Sequence, residues 1–136
     1  MRTVKDIEAY LERLNRQYKP VETEPGTYLI HSSNNMPPIA LRVDPPLVVV
    51  RVHIGDVAPL KEAVDETALF RRLLQLNLKA LVHTSFGLED DRIVLSSALE
   101  LENQDYNELE ATLDEIDLTL AQQVPALAEL SKKQGN

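Results

Sequence analysis

The chain has no cysteine and no tryptophan, only two phenylalanines and only four glycines. Without thiols there is no disulfide framework, no thiolate nucleophile and no Cys-based zinc site, a composition compatible with a reducing cytoplasm. With so few aromatics the core must be built from Leu, Val and Ile, and stacking platforms for single-stranded nucleic acid are scarce. Four glycines leave little material for a phosphate-cradling loop, and neither a Walker sequence nor a dinucleotide fingerprint occurs. Long apolar runs are missing too. The longest aliphatic stretch, Leu47 to Val50, is stopped by Arg51, far short of the roughly 20 residues a membrane span needs. The first residues pass directly into an amphipathic pattern with no signal-peptide core. A soluble cytoplasmic protein with no membrane partner is the expectation.

Positive charge is absent from one whole region. Between Ile93 and Ser131 there are nine carboxylates and no Lys or Arg, whereas the rest of the chain holds all 14 bases against the other 13 of the 22 acids. The net charge of −8 therefore sits in the C-terminal third. An overall negative field repels phosphate backbones, and adjacent basic pairs are few, Arg71-Arg72 and Lys132-Lys133, so no nucleic-acid partner is expected. The 136 residues suit one domain, drawn here as 1–131 with a loose tail at 132–136.

Val4, Ile7, Leu11, Leu14 and Tyr18 recur at spacings of three and four, which predicts a first helix capped by Thr3 with Asp6 and ended by Pro20. Tyr28 and Ile30 alternate with Thr27, Leu29 and His31 as a strand, and Ser32-Ser33-Asn34-Asn35 is turn chemistry. A second strand puts Ile39, Leu41 and Val43 on one face, and Pro45-Pro46 stops it. The third, Leu47 to Ile54, turns Val48, Val50, Val52 and Ile54 inward. Its outward face carries Leu47, Val49, Arg51 and His53, half apolar and half basic.

A second helix is predicted from Glu66 to Leu81, with Asp65 as cap. Its apolar arc is wide: Leu69, Leu73, Leu76 and Ala80 merge with Phe70, Leu74, Leu78 and Leu81 into about 200°. A single sheet face rarely covers such an arc, so a second buried contact is expected from another chain or a client, with dimerisation through this helix the leading explanation. Asn77 lies inside the arc and must bond either local backbone or a symmetry mate. Val82, Thr84, Phe86 and Leu88 then alternate as a strand, Glu89-Asp90-Asp91 turns the chain, and Ile93, Leu95, Ser97, Leu99 and Leu101 complete a hairpin. Asp105 with Glu108 opens a last helix whose stripe is Leu109, Leu113, Ile116, Leu120, Val124 and Leu127, with Pro125 expected to kink or end it. The order αβββαββα predicts a single-domain α+β fold with a mainly antiparallel, twisted sheet and flanking helices.

Catalytic and metal chemistry finds little support. His31, His53 and His83 are expected on strand positions opposite the core, where two could meet as metal ligands, but only carboxylates could complete such a site and the bland reading is solvated histidines. His83 and Ser85 share a face near Asp90 and Asp91, yet no nucleophile elbow or oxyanion loop surrounds the serine. Glu89-Asp90-Asp91 lacks the alternating ligands and central glycine of a calcium loop. No enzyme activity, metal or cofactor is expected. A small enzyme or metal-binding protein using His53 or His83 is the weakest alternative. The acidic face of the last helix, Glu108, Glu110, Asp114, Glu115 and Asp117, reads as a solvated surface, or else as steering for a basic client.

The element order, with the run Leu73-Leu74-Gln75-Leu76-Asn77 and then Phe86-Gly87-Leu88-Glu89-Asp90-Asp91 before a strand, resembles the type III secretion chaperone-like and YbjN-like superfamily over almost the whole chain. The resemblance implies a small, acidic, cytosolic homodimer that holds an extended or amphipathic segment of a client protein. It implies a dimer interface on the second helix, through Leu69, Phe70, Leu73, Leu76 and Asn77. It also implies a client surface on the outward sheet face, with Leu29, Leu47, Val49 and Arg51. Arg51 and His53 depart from a purely apolar patch. The YbjN branch implies the alternative of a regulatory or structural interaction protein without a segment client.

Overall fold

The computed structural model describes residues 3–32, 36–57 and 66–132. Helix α1 spans Val4–Arg13, and the Asp6 carboxylate accepts the Thr3 backbone N–H at 2.7 Å, as its cap pattern predicts. The helix is shorter than its apolar spacing suggests. Leu14 is its cap, Asn15 adopts φ 59°, and Tyr18–Pro20 is already strand β1. Asn tolerates the left-handed region better than most residues and so ends the helix before Pro20. The order is thus αββββαββα, with one edge strand more than the periodicity revealed.

Strands β2 (Thr27–Ile30), β3 (Ile39–Asp44), β4 (Leu47–Asp56), β5 (Ser85–Glu89) and β6 (Arg92–Glu100) complete a six-stranded sheet in the order β1-β2-β3-β4-β6-β5, every pair antiparallel. Gly26 has φ +83°, and a Cβ there would stand 3.3 Å from the Val43 carbonyl oxygen, so the turn into β2 requires glycine. Asp90 takes φ 54° in the β5–β6 turn. The strand expected to begin at Val82 begins at Ser85, because residues 82–84 bond a helix instead of a neighbouring strand.

Helix α2 spans Glu66–Lys79, and α3 runs Tyr106–Lys132. The Glu108 N–H donates to Asp105 Oδ1 at 2.7 Å, the pairing read from sequence. Pro125 does not end α3. The bond it removes belongs to the carbonyl of Ala121, a residue exposed to water, which can take the bond's place. Asp65 and residues 33–35 of the predicted turn lie outside the described residues, as do residues 133–136 of the tail.

All three helices contribute to one core on one side of the sheet. Ile7 and Leu11 of α1, Leu69, Leu73 and Leu76 of α2, and Leu109, Leu113, Ile116 and Leu120 of α3 are buried with Ile30, Ile39, Leu41, Val48, Val50, Val52 and Leu95. The opposite sheet face carries half-buried and exposed side chains, including Leu29, Ala40, Arg42, Val49, Arg51 and His53.

Candidate protein-binding surfaces

The wide apolar arc of α2 divides into two halves. Leu69, Leu73 and Leu76 are buried within the chain's own core, so the chain already uses the inner half. Asn77 spans to the edge strand: its amide nitrogen donates to the Phe86 carbonyl at 3.1 Å, and its Oδ1 accepts the Phe86 N–H at 2.7 Å. Of the two partners left open for Asn77, local backbone is the one present. The outer half remains. Phe70 is half-buried, and Leu74 and Leu78 are 69% and 84% exposed. With Thr67, Arg71 and Gln75 they line an open cleft of about 590 Å³. Among the five residues expected at an interface, only Phe70 belongs to this free strip. Leu74 and Leu78 stand beside it, exposed, while the three leucines Leu69, Leu73 and Leu76 face the core.

The end of α2 is fixed from α3 by one carboxylate. Glu115 accepts the backbone N–H groups of Val82, His83 and Thr84 at 2.8, 2.9 and 2.8 Å, and the Thr84 hydroxyl at 2.6 Å. Burial pushes its carboxyl up, but the Thr84 hydroxyl and the three N–H donors together hold it below the ordinary value. Sequence reading placed Glu115 on a solvated or client-facing surface. Its partners lie some thirty residues away, and nothing local marks them.

The outward sheet face is arranged in rows by the strand register. Lys19, Leu29, Ala40, Arg51, Ser96 and Ser85 form one row across all six strands. Thr27, Arg42, Val49 and Ala98 form the next, and Leu47 pairs with Asp44 and Glu100 at the far end. Leu29, Val49 and Arg51 therefore share a contiguous region, with Leu47 at its margin. A groove of about 600 Å³ on this face is lined by Leu29, Pro37, Pro38, Ala40, Arg51, His53, Glu89, Arg92 and Val94. Arg51 donates to Glu89 Oε1 at 2.8 Å, and Arg92 stands 3.6 Å from the same oxygen. The Arg51 bond and charge hold the Glu89 carboxyl below its ordinary value.

The acidic helix face is partly consumed internally. Arg16, at the start of the segment leading to β1, reaches Asp114 at 3.2 Å and Asp117 at 2.7 Å, and Asp117 also accepts the Ser32 hydroxyl at 2.8 Å. With Glu115 bound to the 82–84 loop and Glu110 accepting the Tyr106 hydroxyl at 3.5 Å, four of the five carboxylates expected to face a basic client have partners in this chain. His53 Nε2 lies 2.9 Å from Asp56 Oδ1 at the surface, and His83 sits in the anchored loop rather than on a strand. Among the described residues no group of three or more His, Asp or Glu side chains is arranged to hold a metal, and no helix is long and apolar enough to cross a membrane.

The model of the CesT_Tir_1 family, type III secretion chaperones, matches residues 1–133. The chain belongs to that family. Solved structures show the same fold at low identity. A chain of the heterodimeric ExoU–SpcU complex from the type III secretion system of Pseudomonas aeruginosa is 17% identical, with 88% of this chain and 95% of that one covered at a TM-score of 0.64. A chain of the Yersinia pestis type III secretion chaperone SycH in complex with a stable fragment of YscM2 is 16% identical, with 92% and 99% covered at 0.61. YbjN from E. coli is 12% identical, with 93% and 92% covered at 0.57. A comparison with curated proteins finds no match. The CesT_Tir_1 membership and the fold together bear out the resemblance drawn from the Leu-Asn run and the β5–β6 hairpin.

Proposed function

We propose that this chain is a non-enzymatic, cytoplasmic protein-binding module of the chaperone kind, a homodimer that holds an extended segment of a client protein. The observation that carries the reading is the free half of α2. Phe70, Leu74 and Leu78 form an apolar strip that the chain leaves to water although the other half of the same helix is buried. A second copy placed across a two-fold axis would cover this strip with the same strip, and such an interface closes on itself at two chains. Burial is worth about 1.5–3 kcal/mol for each large apolar side chain, and the symmetry counts each twice.

The open sheet face around Leu29, Val49 and Arg51, with Leu47 at its margin, is the client surface in this reading. Strand addition is disfavoured at both sheet edges. On the β5 edge Asn77 and Glu115 occupy the backbone groups of Phe86 and Thr84, and on the β1 edge Pro20 has no N–H to donate. The client is therefore held by side chains on a face. The reading is tested by tagging the chain, capturing bound protein from the source lysate and subjecting the complex to limited proteolysis. It predicts one contiguous, non-globular client segment protected from cleavage. Capture of an intact folded domain, with no protected segment, would favour the regulatory-module alternative.

A further inference from the structure

The groove on the open sheet face differs in charge from the rest of the molecule. The chain carries −8 overall, yet among the described residues the charged side chains lining this groove are Arg51, Arg92 and a single acid, Glu89, with the imidazole of His53 beside them. The adjoining cavity of about 350 Å³, which shares Leu29 and Pro38 with the groove, adds Lys19 and His31 and, among the described residues, no acid. Leu29, Ala40, Val94 and two prolines supply the apolar part of the lining. The Glu89 carboxylate already shows what these bases accept, since it takes the Arg51 guanidinium at 2.8 Å beside Arg92 at 3.6 Å.

We propose that this groove takes an extended peptide segment carrying acidic side chains, its carboxylates received by Arg51 with Arg92 and by Lys19. The inference rests on the reading of this face as the client surface, and it reverses the basic client that the acidic C-terminal helix suggests. Lys19 and Arg51 lie in one row on β1 and β4, three strand spacings or about 14 Å apart. An extended segment advances about 3.3 Å per residue, so acids about four residues apart reach both bases from the same side of the segment. The small and apolar side chains between the two bases, Leu29 and Ala40, suit an apolar or small residue between those acids. Glu89 is a built-in competitor, because an incoming carboxylate must share or displace its place on Arg51.

The test uses the full chain and three labelled peptides of one apolar sequence, carrying Glu, Gln or Lys at two positions four apart, with binding read by fluorescence anisotropy at low and high salt. The Glu peptide is expected to bind about tenfold tighter than the Lys peptide, with the margin shrinking as salt screens it. Arg51→Gln with Arg92→Gln removes that margin, and Glu89→Gln tightens the Glu peptide about threefold by freeing Arg51. The three side chains are about half exposed, at 41% for Arg51, 49% for Glu89 and 54% for Arg92, and none belongs to the core, so the variants are expected to fold. Equal binding of the three peptides, unaffected by the arginine changes, overturns the acidic preference while leaving segment holding in place. Binding of none overturns this inference, and the lysate capture then decides segment holding independently. Tighter binding of a single-stranded oligonucleotide than of the Glu peptide overturns it in favour of phosphate.

Discussion

Replacing Glu115 isolates the contact that ties the end of α2 to α3. Its two oxygens accept four hydrogen bonds from three consecutive residues: Oε1 takes Val82, and Oε2 takes His83 and both donors of Thr84. A bond to a charged acceptor is worth about 1.5–3 kcal/mol where water cannot replace it. Val82 and His83 are exposed and water can serve them, whereas Thr84 is buried. The two Thr84 bonds therefore dominate, and Glu115→Ala is expected to cost about 2–4 kcal/mol. Glu115→Gln keeps one carbonyl oxygen for Thr84 but turns an NH₂ toward the Val82 N–H, and is expected to cost about 1–2 kcal/mol. The folded carboxyl is held below its ordinary 4.5. Its contribution is thus complete above that value and is lost as pH falls through the lowered folded value. Urea unfolding of the wild type and the Gln variant should show the full difference at neutral pH and converge once the pH falls below the lowered folded value. A difference under about 0.5 kcal/mol at neutral pH, or one that persists unchanged into acid, would refute the reasoning.

Asn77→Ala leaves the Phe86 N–H and carbonyl without their partners and should cost about 1–3 kcal/mol in the same assay. Asn77→Asp keeps the acceptor but faces the Phe86 carbonyl with a carboxylate, so wild-type stability in that variant would contradict the geometry. Tyr18 and Tyr28 should ionise late in an absorbance titration. The hydrogen bond to Glu12 raises Tyr18 to about 12, and burial with the bond to Glu8 raises Tyr28 to about 12. Because both folded values lie above the ordinary 10.0, their contribution to stability is present below that pH and is lost as pH climbs through about 12. Ionisation of Tyr18 or Tyr28 at the ordinary 10.0 in the folded protein would contradict it.

The elements legible in the sequence were those whose signal is local. The α3 stripe from Leu109 to Leu127, the inward face of β3 and β4, and the Asp6 and Asp105 cap contacts follow from periodicity and short-range bonding. The end of α1 was missed because Leu14 and Tyr18 continue the apolar spacing, while the deciding signal is the single left-handed Asn15. The breadth of the α2 arc correctly announced more apolar surface than the chain's own core covers, with Leu74 and Leu78 left exposed. Which leucines serve which contact depends on how the helix is rotated against β5 and α3, and no spacing encodes that. The same holds for the acidic helix: Arg16, Ser32 and the 82–84 loop meet it only in the folded chain. Charge segregation in sequence therefore overstated how much acidic surface is free.

The apolar strip of α2 is the centre of this account, and the mass of the chain in solution tests it most directly. Sedimentation equilibrium at micromolar concentration should give twice the 15.3 kDa of one chain. Leu74→Asp with Leu78→Asp should give a single chain with unchanged far-UV circular dichroism, since both side chains are exposed. A wild-type chain that sediments at its own mass, or a variant that remains a dimer, would contradict the assignment of this face.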